Sequence, residues 1–271
     1  MRPETILVPV DESRASMQAL RRAVGLAKRV GARMRIFHAL VHRSDRRHAD
    51  EHRLEWLDRV GEQARDLDVD YISHDEPSVF EGIAHVCEET RADLIVMGTH
   101  GGGFLASSVA ETLVRRAPCN VMVCRSDASG DWPASAATIL VPVDHSDNAL
   151  RAAQYARELV DERDRLAFLH VVSTPDHPDV HGSEVPAPLG ADPELEARIV
   201  RRTRNWLDDR DADVTAVEGD VVASILDHAQ LRNAGLVVMG TKGLTGLTRL
   251  VIGSVTERIT GMCEVPVLTV R

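Results

Sequence analysis

Two motifs of this sequence each occur twice, and this repetition restricts the fold more than any other feature. Residues 6–13 (ILVPVDES) return as residues 139–146 (ILVPVDHS), and residues 92–101 (ADLIVMGTHG) return as residues 234–243 (AGLVVMGTKG). Repeats this far apart indicate two copies of one domain, because solenoids repeat every ~20–50 residues. We therefore predict a first domain over residues 1–126, a small and polar linker over residues 127–136, and a second domain over residues 137–271.

Each copy alternates short apolar runs with amphipathic segments. In the second copy, strands are predicted near residues 138–143, 165–172, 213–218, 235–239 and 265–270. Helices are predicted over residues 148–161, 194–210, 221–232 and 254–260, and Ser146 or Asp147 is expected to cap the first of them. This alternation requires a parallel sheet with helices on both faces. The predicted fold class is α/β, with one open, five-stranded, mostly parallel sandwich in each copy.

The topology also predicts where a ligand would bind. In open parallel sheets, ligands bind beyond the carboxyl ends of the strands, at the point where the strand order reverses. When the first strand is central, its end lies beside the end of the fourth strand. In the second copy these two ends hold the repeated residues, namely Pro142, Val143 and Asp144 after the first strand and Met239, Gly240 and Thr241 after the fourth. The ends of the first and fourth strands are therefore predicted to border the same crevice.

Glycines border this crevice at fixed spacing. Gly240 and Gly243 follow a predicted strand, and Gly253 with Ser254 precedes a predicted helix. Backbone N–H groups in a glycine turn and at the start of a helix lack partners, so they attract anions. The pattern predicts a phosphate cradle. The alternative is a turn and a helix cap without a ligand.

The first copy departs from this pattern. Its glycine loop is shorter, and Ser107 stands where the second copy has Gly253. Asp11, Gly98 and Gly101 keep only part of the motif. We therefore expect ligand binding mainly in the second domain, with either weak binding or a fold-maintaining role for the first crevice.

The chain resembles the universal stress protein family along both halves. The matching pieces are the ILVPVD starts, the VMGTxG turns, GSVTER at residues 253–258, and the closing strand at residues 265–268. The resemblance implies a flavodoxin-like, Rossmann-like fold that binds ATP, or else ADP or AMP, with Mg²⁺ accompanying the nucleotide. Carried over to matching positions, it implies that adenosine is held by Pro142, Val143 and Asp144, that Val171 and Met239 wall the adenine, that phosphate and ribose meet Gly240, Gly243, Gly253 and Ser254, and that Val255 adds a backbone donor. Thr241 and Lys242 lie in the same loop, where a hydroxyl and a positive charge suit a phosphate; the alternatives are a threonine favoured by the turn and a solvated lysine.

Charge and hydropathy disfavour several classes of partner, although a local basic pocket stays possible. The formal net charge of −10 disfavours nucleic acid and anionic membranes, since both bind basic surfaces. No apolar segment reaches the roughly 18–20 residues that a membrane-spanning helix needs, and the N-terminus shows no signal-peptide pattern. We expect a cytoplasmic protein. The resemblance further implies antiparallel pairing of the two domains through their last strands; a homodimer and an unidentified protein partner are further expectations.

Enzyme signatures are absent from the sequence. It contains no P-loop, no Gly-x-Ser-x-Gly elbow and no His-Glu-x-x-His motif. We predict no catalytic residue and favour a stress-response regulatory module that binds nucleotide. The alternatives are a slow ATPase and a nucleotide-free protein that acts as an interaction or chaperone-like partner.

No metal site is predicted from spacing. The four cysteines form no CxxC pair, and metal or redox roles are not expected for them. His48 and His52 are four residues apart, which suits one face of a helix and a pair of metal ligands. A solvated helix is the favoured interpretation, because Arg46 and Arg47 would repel a cation. His38 and His170 end equivalent strands and are expected to be packed residues.

Overall fold

The computed structural model describes residues 2–11, 13–41, 58, 64–99, 109–125, 132–133, 136–173, 193–242 and 252–271. The chain divides into two units, Met1–Ser135 and Ala136–Arg271. Three features of the predictions lie outside the described residues: Gly243, the shortened loop that contains Gly101 and Ser107, and the pair His48 and His52. Among the described residues, no helix is both long enough and apolar enough to cross a membrane.

Each unit is built around a five-stranded sheet. The first unit contains β1 (Thr5–Pro9), α1 (Arg14–Val30), β2 (Arg33–Leu40), β3 (Val69–Asp75), α2 (Val79–Thr90), β4 (Leu94–Thr99), α3 (Val109–Arg116) and β5 (Asn120–Arg125). The second contains β6 (Thr138–Pro142), α4 (Asp147–Leu159), β7 (Arg165–Val172), α5 (Pro193–Trp206), β8 (Asp213–Glu218), α6 (Val221–Leu231), β9 (Ala234–Gly240), α7 (Ser254–Met262) and β10 (Val267–Val270).

The strand order confirms the predicted α/β fold. The first sheet runs β3-β2-β1-β4-β5 and the second runs β10-β9-β6-β7-β8. The pairs within each sheet are parallel. The first strand of each unit is therefore central and has the fourth strand as its neighbour, as the placement of the crevice requires.

Several element boundaries differ from the sequence prediction by one to four residues, and two of these differences have a clear physical cause. Strand β10 begins at Val267 instead of residue 265, because Pro266 has no N–H for the ladder and only accepts from the Val237 N–H, at 3.0 Å. Helix α5 ends at Trp206 instead of residue 210. The chain turns there because Asp208 adopts a left-handed conformation (φ 51°) and the Asp209 N–H donates back to the Arg204 carbonyl.

Aliphatic residues fill the core of each sheet. Leu236, Val237 and Val238 of β9 are fully buried in succession, as expected for a strand covered by helices on both faces. The equivalent run in the first unit, Leu94 and Ile95 of β4, is also fully buried. Small aliphatic side chains thus supply most of the buried surface, and aromatic residues contribute at few positions.

Among the described residues of the predicted linker, Trp132 is fully buried. The Arg22 side chain donates to the Trp132 carbonyl at 2.8 Å, and the Arg29 side chain donates to the Pro133 carbonyl at 2.5 Å. The Arg29 guanidinium also lies 5.4 Å from the centre of the Trp132 ring. These two linker residues therefore pack on α1, and the first unit extends beyond the boundary expected from composition.

Candidate functional site

The carboxyl ends of β6 and β9 lie side by side in the second unit. The two strands are parallel neighbours, with Ile139 opposite Leu236 and Leu140 opposite Val237. Beyond β6, the Val143 N–H donates to the Leu169 carbonyl at 2.8 Å, which continues the ladder toward β7. This edge is the place where the sequence predicts a crevice.

Asp144 begins the turn that leads from β6 to α4. Its Oδ1 atom accepts from the Ser146 N–H at 3.0 Å, and the Ser146 hydroxyl accepts from the Ala149 N–H at 3.2 Å. The Ser146 cap confirms one of the two expected capping residues. The carboxylate of Asp144 is half-buried at the edge of the sheet.

Gly240 has a packing role that the sequence did not reveal. A Cβ atom added at Gly240 would lie 2.9 Å from the backbone and Cβ of Asn148, at the start of α4. The equivalent Gly98 in the first unit lies even closer to the backbone of Ala15. The start of the first helix of each unit thus packs directly against the end of the fourth strand. This close backbone contact requires glycine whether or not a ligand is bound.

Two hydrogen bonds fix the start of α7 to the end of β9. The Gly253 N–H donates to the Thr241 carbonyl at 2.8 Å, and the buried Thr256 hydroxyl donates to the Gly240 carbonyl at 2.9 Å. Gly253 is the N-cap of α7 and, having no side chain, makes no cap bond to the first N–H groups of the helix. In the first unit Ala110 occupies the position of Thr256, so the second bond has no counterpart there.

The structure brings most of the predicted site residues to one edge of the second sheet. These are Pro142, Val143, Asp144, Gly240, Thr241, Lys242, Gly253, Ser254 and Val255. Two others belong to the core: Met239 is 5% exposed within the apolar cluster beneath the sheet, and Val171 packs against that cluster. Gly243 lies outside the described residues.

An aromatic stack borders Asp144. The imidazole of His145 stacks on that of His170, with ring centres 4.5 Å apart, and meets the Trp206 ring edge-on at 5.3 Å. His145 Nε2 lies 3.0 Å from the Thr203 hydroxyl, and His170 Nδ1 donates to the Val143 carbonyl at 2.9 Å. The stack supplies a flat apolar wall beside the carboxylate.

Both imidazoles of the stack favour the neutral form. Burial, together with the neighbouring His170 and Arg202, lowers the pKa of His145 to about 4. Burial also lowers the pKa of His170. The two rings can therefore stack without mutual repulsion at neutral pH. The sequence predicted packing for His170 but gave no signal for His145, because its partners are distant in the chain.

The equivalent crevice of the first unit encloses a cavity of about 370 Å³, a volume typical of small-molecule sites. Its lining includes Val10, Asp11, Phe37 and Gly98. Asp11 Oδ1 accepts from the Ser16 hydroxyl at 2.5 Å, whereas Ala149 at the matching position offers no hydroxyl to Asp144. The first crevice therefore has room for a small ligand, and both expectations for it stay predictions.

Comparisons with known proteins give a consistent family assignment. The model of the "Universal stress protein family" matches residues 3–125 and 136–271. A universal stress protein of Mycobacterium tuberculosis is 31% identical over 189 residues, which cover 67% of this chain and 62% of that protein. Universal stress protein E of Photorhabdus laumondii is 22% identical over 307 aligned positions, covering 99% of this chain and 95% of its own.

A solved structure supports the fold. The crystal structure of a universal stress protein from Archaeoglobus fulgidus matches with a TM-score of 0.69 and 21% identity, over 98% of both chains. At this level of identity the likeness concerns the fold alone.

Proposed function

Because this chain belongs to the universal stress protein family, we propose that its second unit is a regulatory module that binds an adenine nucleotide, ATP in preference, at the carboxyl ends of β6 and β9. The observation that carries this proposal is the hydrogen bond from the Gly253 N–H to the Thr241 carbonyl, at 2.8 Å. This bond holds the start of α7 at the end of β9, beside the end of β6. One crevice thus combines a helix N-terminus with two strand ends.

The phosphates would lie at the start of α7. Its first N–H groups have no side-chain cap, and the positive end of the helix dipole favours an anion there. Ser254 adds a hydroxyl, and Lys242 adds a positive charge within an otherwise acidic chain. A bound Mg²⁺ would accompany the phosphates and offset part of their charge. The residues present therefore fit a phosphate group.

The nucleoside would lie across the end of β6. Carboxylates accept hydrogen bonds from hydroxyl groups, so Asp144 is suited to ribose. The Val143 N–H is already bonded to the Leu169 carbonyl, so Val143 would contribute surface rather than this donor. The stacked rings of His145 and His170 add an aromatic wall that could accommodate the adenine base.

Calorimetric titration of the chain with ATP, ADP and AMP tests the proposal. We expect about one nucleotide per chain and the strongest heat with ATP. Gly253→Glu is a clean disrupting variant, because Gly253 has φ −67°, which any residue can adopt, and because a carboxylate there would repel phosphate. Ser107→Glu places the same charge at the matching position of the first copy.

The two variants should separate the units. Binding should disappear in Gly253→Glu and persist in Ser107→Glu. The absence of heat and of thermal shift at millimolar nucleotide would overturn the proposal. Two equal sites per chain would overturn only the preference for the second unit, and the cavity in the first unit is the observation that favours that outcome.

Other expectations remain predictions. They include a cytoplasmic location, pairing of domains or of whole chains, and an unidentified protein partner. Light scattering with and without ATP would measure the oligomeric state directly.

A further inference from the structure

Three potential metal ligands converge in the first unit, next to Phe37, which also lines the cavity of that unit. His74 lies on β3, Glu76 follows that strand, and His85 lies on α2; their ligand atoms are all within 4.8 Å of one another. His85 Nδ1 is 2.8 Å from Glu76 Oε1, and His74 Nδ1 is 3.9 Å from the same oxygen. Glu89 Oε2 lies 4.0 Å from His74 Nδ1 and offers a fourth ligand. We propose that His74, Glu76, His85 and Glu89 form a binding site for a divalent transition-metal ion of the zinc type.

The chemistry of the four side chains suits such an ion. Zinc binds imidazole nitrogens and carboxylate oxygens at about 2.0–2.2 Å, most often in tetrahedral geometry. Ligand atoms around a tetrahedral ion are therefore roughly 3.3–3.5 Å apart. The separations of 2.8 Å and 3.9 Å from Glu76 to the two imidazoles lie on both sides of this value, and the exposed Glu89 would have to turn its carboxylate toward them. Two neutral imidazoles and two carboxylates together carry the charge that neutralises one divalent cation.

The central ligand is held in place by packing. The Glu76 side chain is only 9% exposed although it carries a carboxylate. A Cβ atom added at Gly82 would lie 2.8 Å from Glu76 Cγ, so glycine at this position of α2 makes room for the stem of Glu76. A carboxylate held this way directs its oxygen toward both imidazoles.

The His74 ring is also supported. It contacts the Phe37 ring edge-on, with centres 6.3 Å apart, and lies 5.5 Å from the His85 ring. His85 and Glu89 are four residues apart on α2, a spacing that places both on one face of a helix. The ligands thus come from a strand, a buried loop residue and a helix face, which together define one position for an ion.

The competing explanation for this cluster is a simple ion pair between a protonated His85 and Glu76. The hydrogen bond to Glu76 raises the pKa of His85, so a proton can serve as the cation in this cluster. A proton needs only Glu76 and one imidazole, whereas a metal needs both histidines. The requirement for His74 therefore separates the two explanations.

Equilibrium dialysis of the full chain against Zn²⁺, after removal of metal with a chelator and without nucleotide, tests the site. Metal content and the visible spectrum of a Co²⁺-substituted sample would be measured for the wild type, His74→Ala and His85→Ala. His85 is exposed, so its variant should fold normally, and circular dichroism would verify this. The control is the double variant His48→Ala/His52→Ala, which removes the pair suggested by spacing alone.

We expect one equivalent of zinc and a tetrahedral Co²⁺ spectrum in the wild type and in the control. His74→Ala and His85→Ala should each lose the tetrahedral Co²⁺ spectrum, and each should bind zinc more than about 10-fold more weakly than the wild type. The proposal is overturned if the wild type takes up no metal, if His74→Ala binds as tightly as the wild type, or if the metal is lost only in the control.

Discussion

The backbone of Asn148 contacts Gly240 so closely that a Cβ atom at Gly240 would lie 2.9 Å from it. A glycine that the motif assigns to phosphate binding is therefore also required by the packing of α4 on β9. Loss of nucleotide binding in a Gly240 variant would not by itself identify a ligand contact. This is why Gly253, with its ordinary φ, is the better position for the binding test.

Gly240→Ala should destabilise the second unit even without nucleotide. Overpacking of this kind typically costs about 1–3 kcal/mol, because α4 must move away from the strand. Gly98→Ala should be at least as harmful to the first unit, since its neighbour Ala15 is closer still. Urea unfolding of both variants would measure the change. Stabilities equal to the wild type would contradict the close packing.

His145 should make stability depend on pH. Its folded pKa is about 4, below the ordinary value of 6.5, so only the unfolded chain takes up this proton between pH 6.5 and pH 4. Stability should therefore fall as the pH falls through this window and level off below it. The groups that face the imidazole are His170, Arg202 and Asp144.

His145→Asn removes this titration while tolerating the left-handed backbone at φ 65°. Because His145 is partly exposed, the effect is smaller than the full pKa shift implies. Between pH 7 and pH 4 the free energy of unfolding should fall by roughly 1–2 kcal/mol more in the wild type than in the variant. Urea unfolding at several pH values measures the difference, and pH 8, where both proteins are neutral at this position, provides the baseline. Parallel pH profiles would exclude His145 as the source.

Trp132 should contribute to the stability of the first unit despite its place in the predicted linker. Trp132→Ala removes a fully buried side chain and should cost about 3–5 kcal/mol. Trp132→Phe is the matched control. The indole Nε1 is buried without a hydrogen-bond partner among the described residues. Trp132→Phe therefore removes no hydrogen bond observed there and should be less destabilising than Trp132→Ala. Equal stability of Trp132→Ala and the wild type in denaturant unfolding would show that this segment does not support the fold.

Cys87 and Cys119 should form a disulfide on mild oxidation. Their sulfur atoms lie 3.2 Å apart, although the residues are far from each other in sequence. Hydrogen peroxide would convert one thiol to a sulfenic acid and water, and the second thiol would then displace water to form the S–S bond. Cys124 is the internal control, because burial raises the pKa of its thiol to about 12. Peptide mass spectrometry should find the Cys87–Cys119 link, and an unlinked pair after oxidation would refute it.

The fold was largely predictable because its causes are local and repeated. Strands covered on both faces appear as apolar runs such as residues 236–238, and the duplicated motifs mark the two central strand ends. The repeat and the topology also predicted that the ends of β6 and β9 lie side by side. Helix α5 and strand β10 were misplaced by a few residues, because a left-handed turn at Asp208 and the missing N–H of Pro266 act at single positions.

The remaining features depend on contacts between residues that no spacing rule connects. The stack of His145 on His170 and the convergence of His74 with His85 arise only when separate elements pack together. Trp132 was overlooked because its neighbours are small and polar. A lone tryptophan in such a stretch was the available signal, since exposed indole rings are unfavourable.

The bond between Gly253 and Thr241 has a consequence for the evolution and redesign of this chain. The bond joins the two ends of the segment between these residues. We therefore expect insertions or deletions inside the segment to leave β9 and α7 in place. Added length in an already closed loop changes the free energy of folding only slowly, by about 0.6 kcal/mol per doubling. The length of this segment can therefore change at little cost to folding, and we expect that residues 242–252 transplanted into the first unit would leave its fold intact.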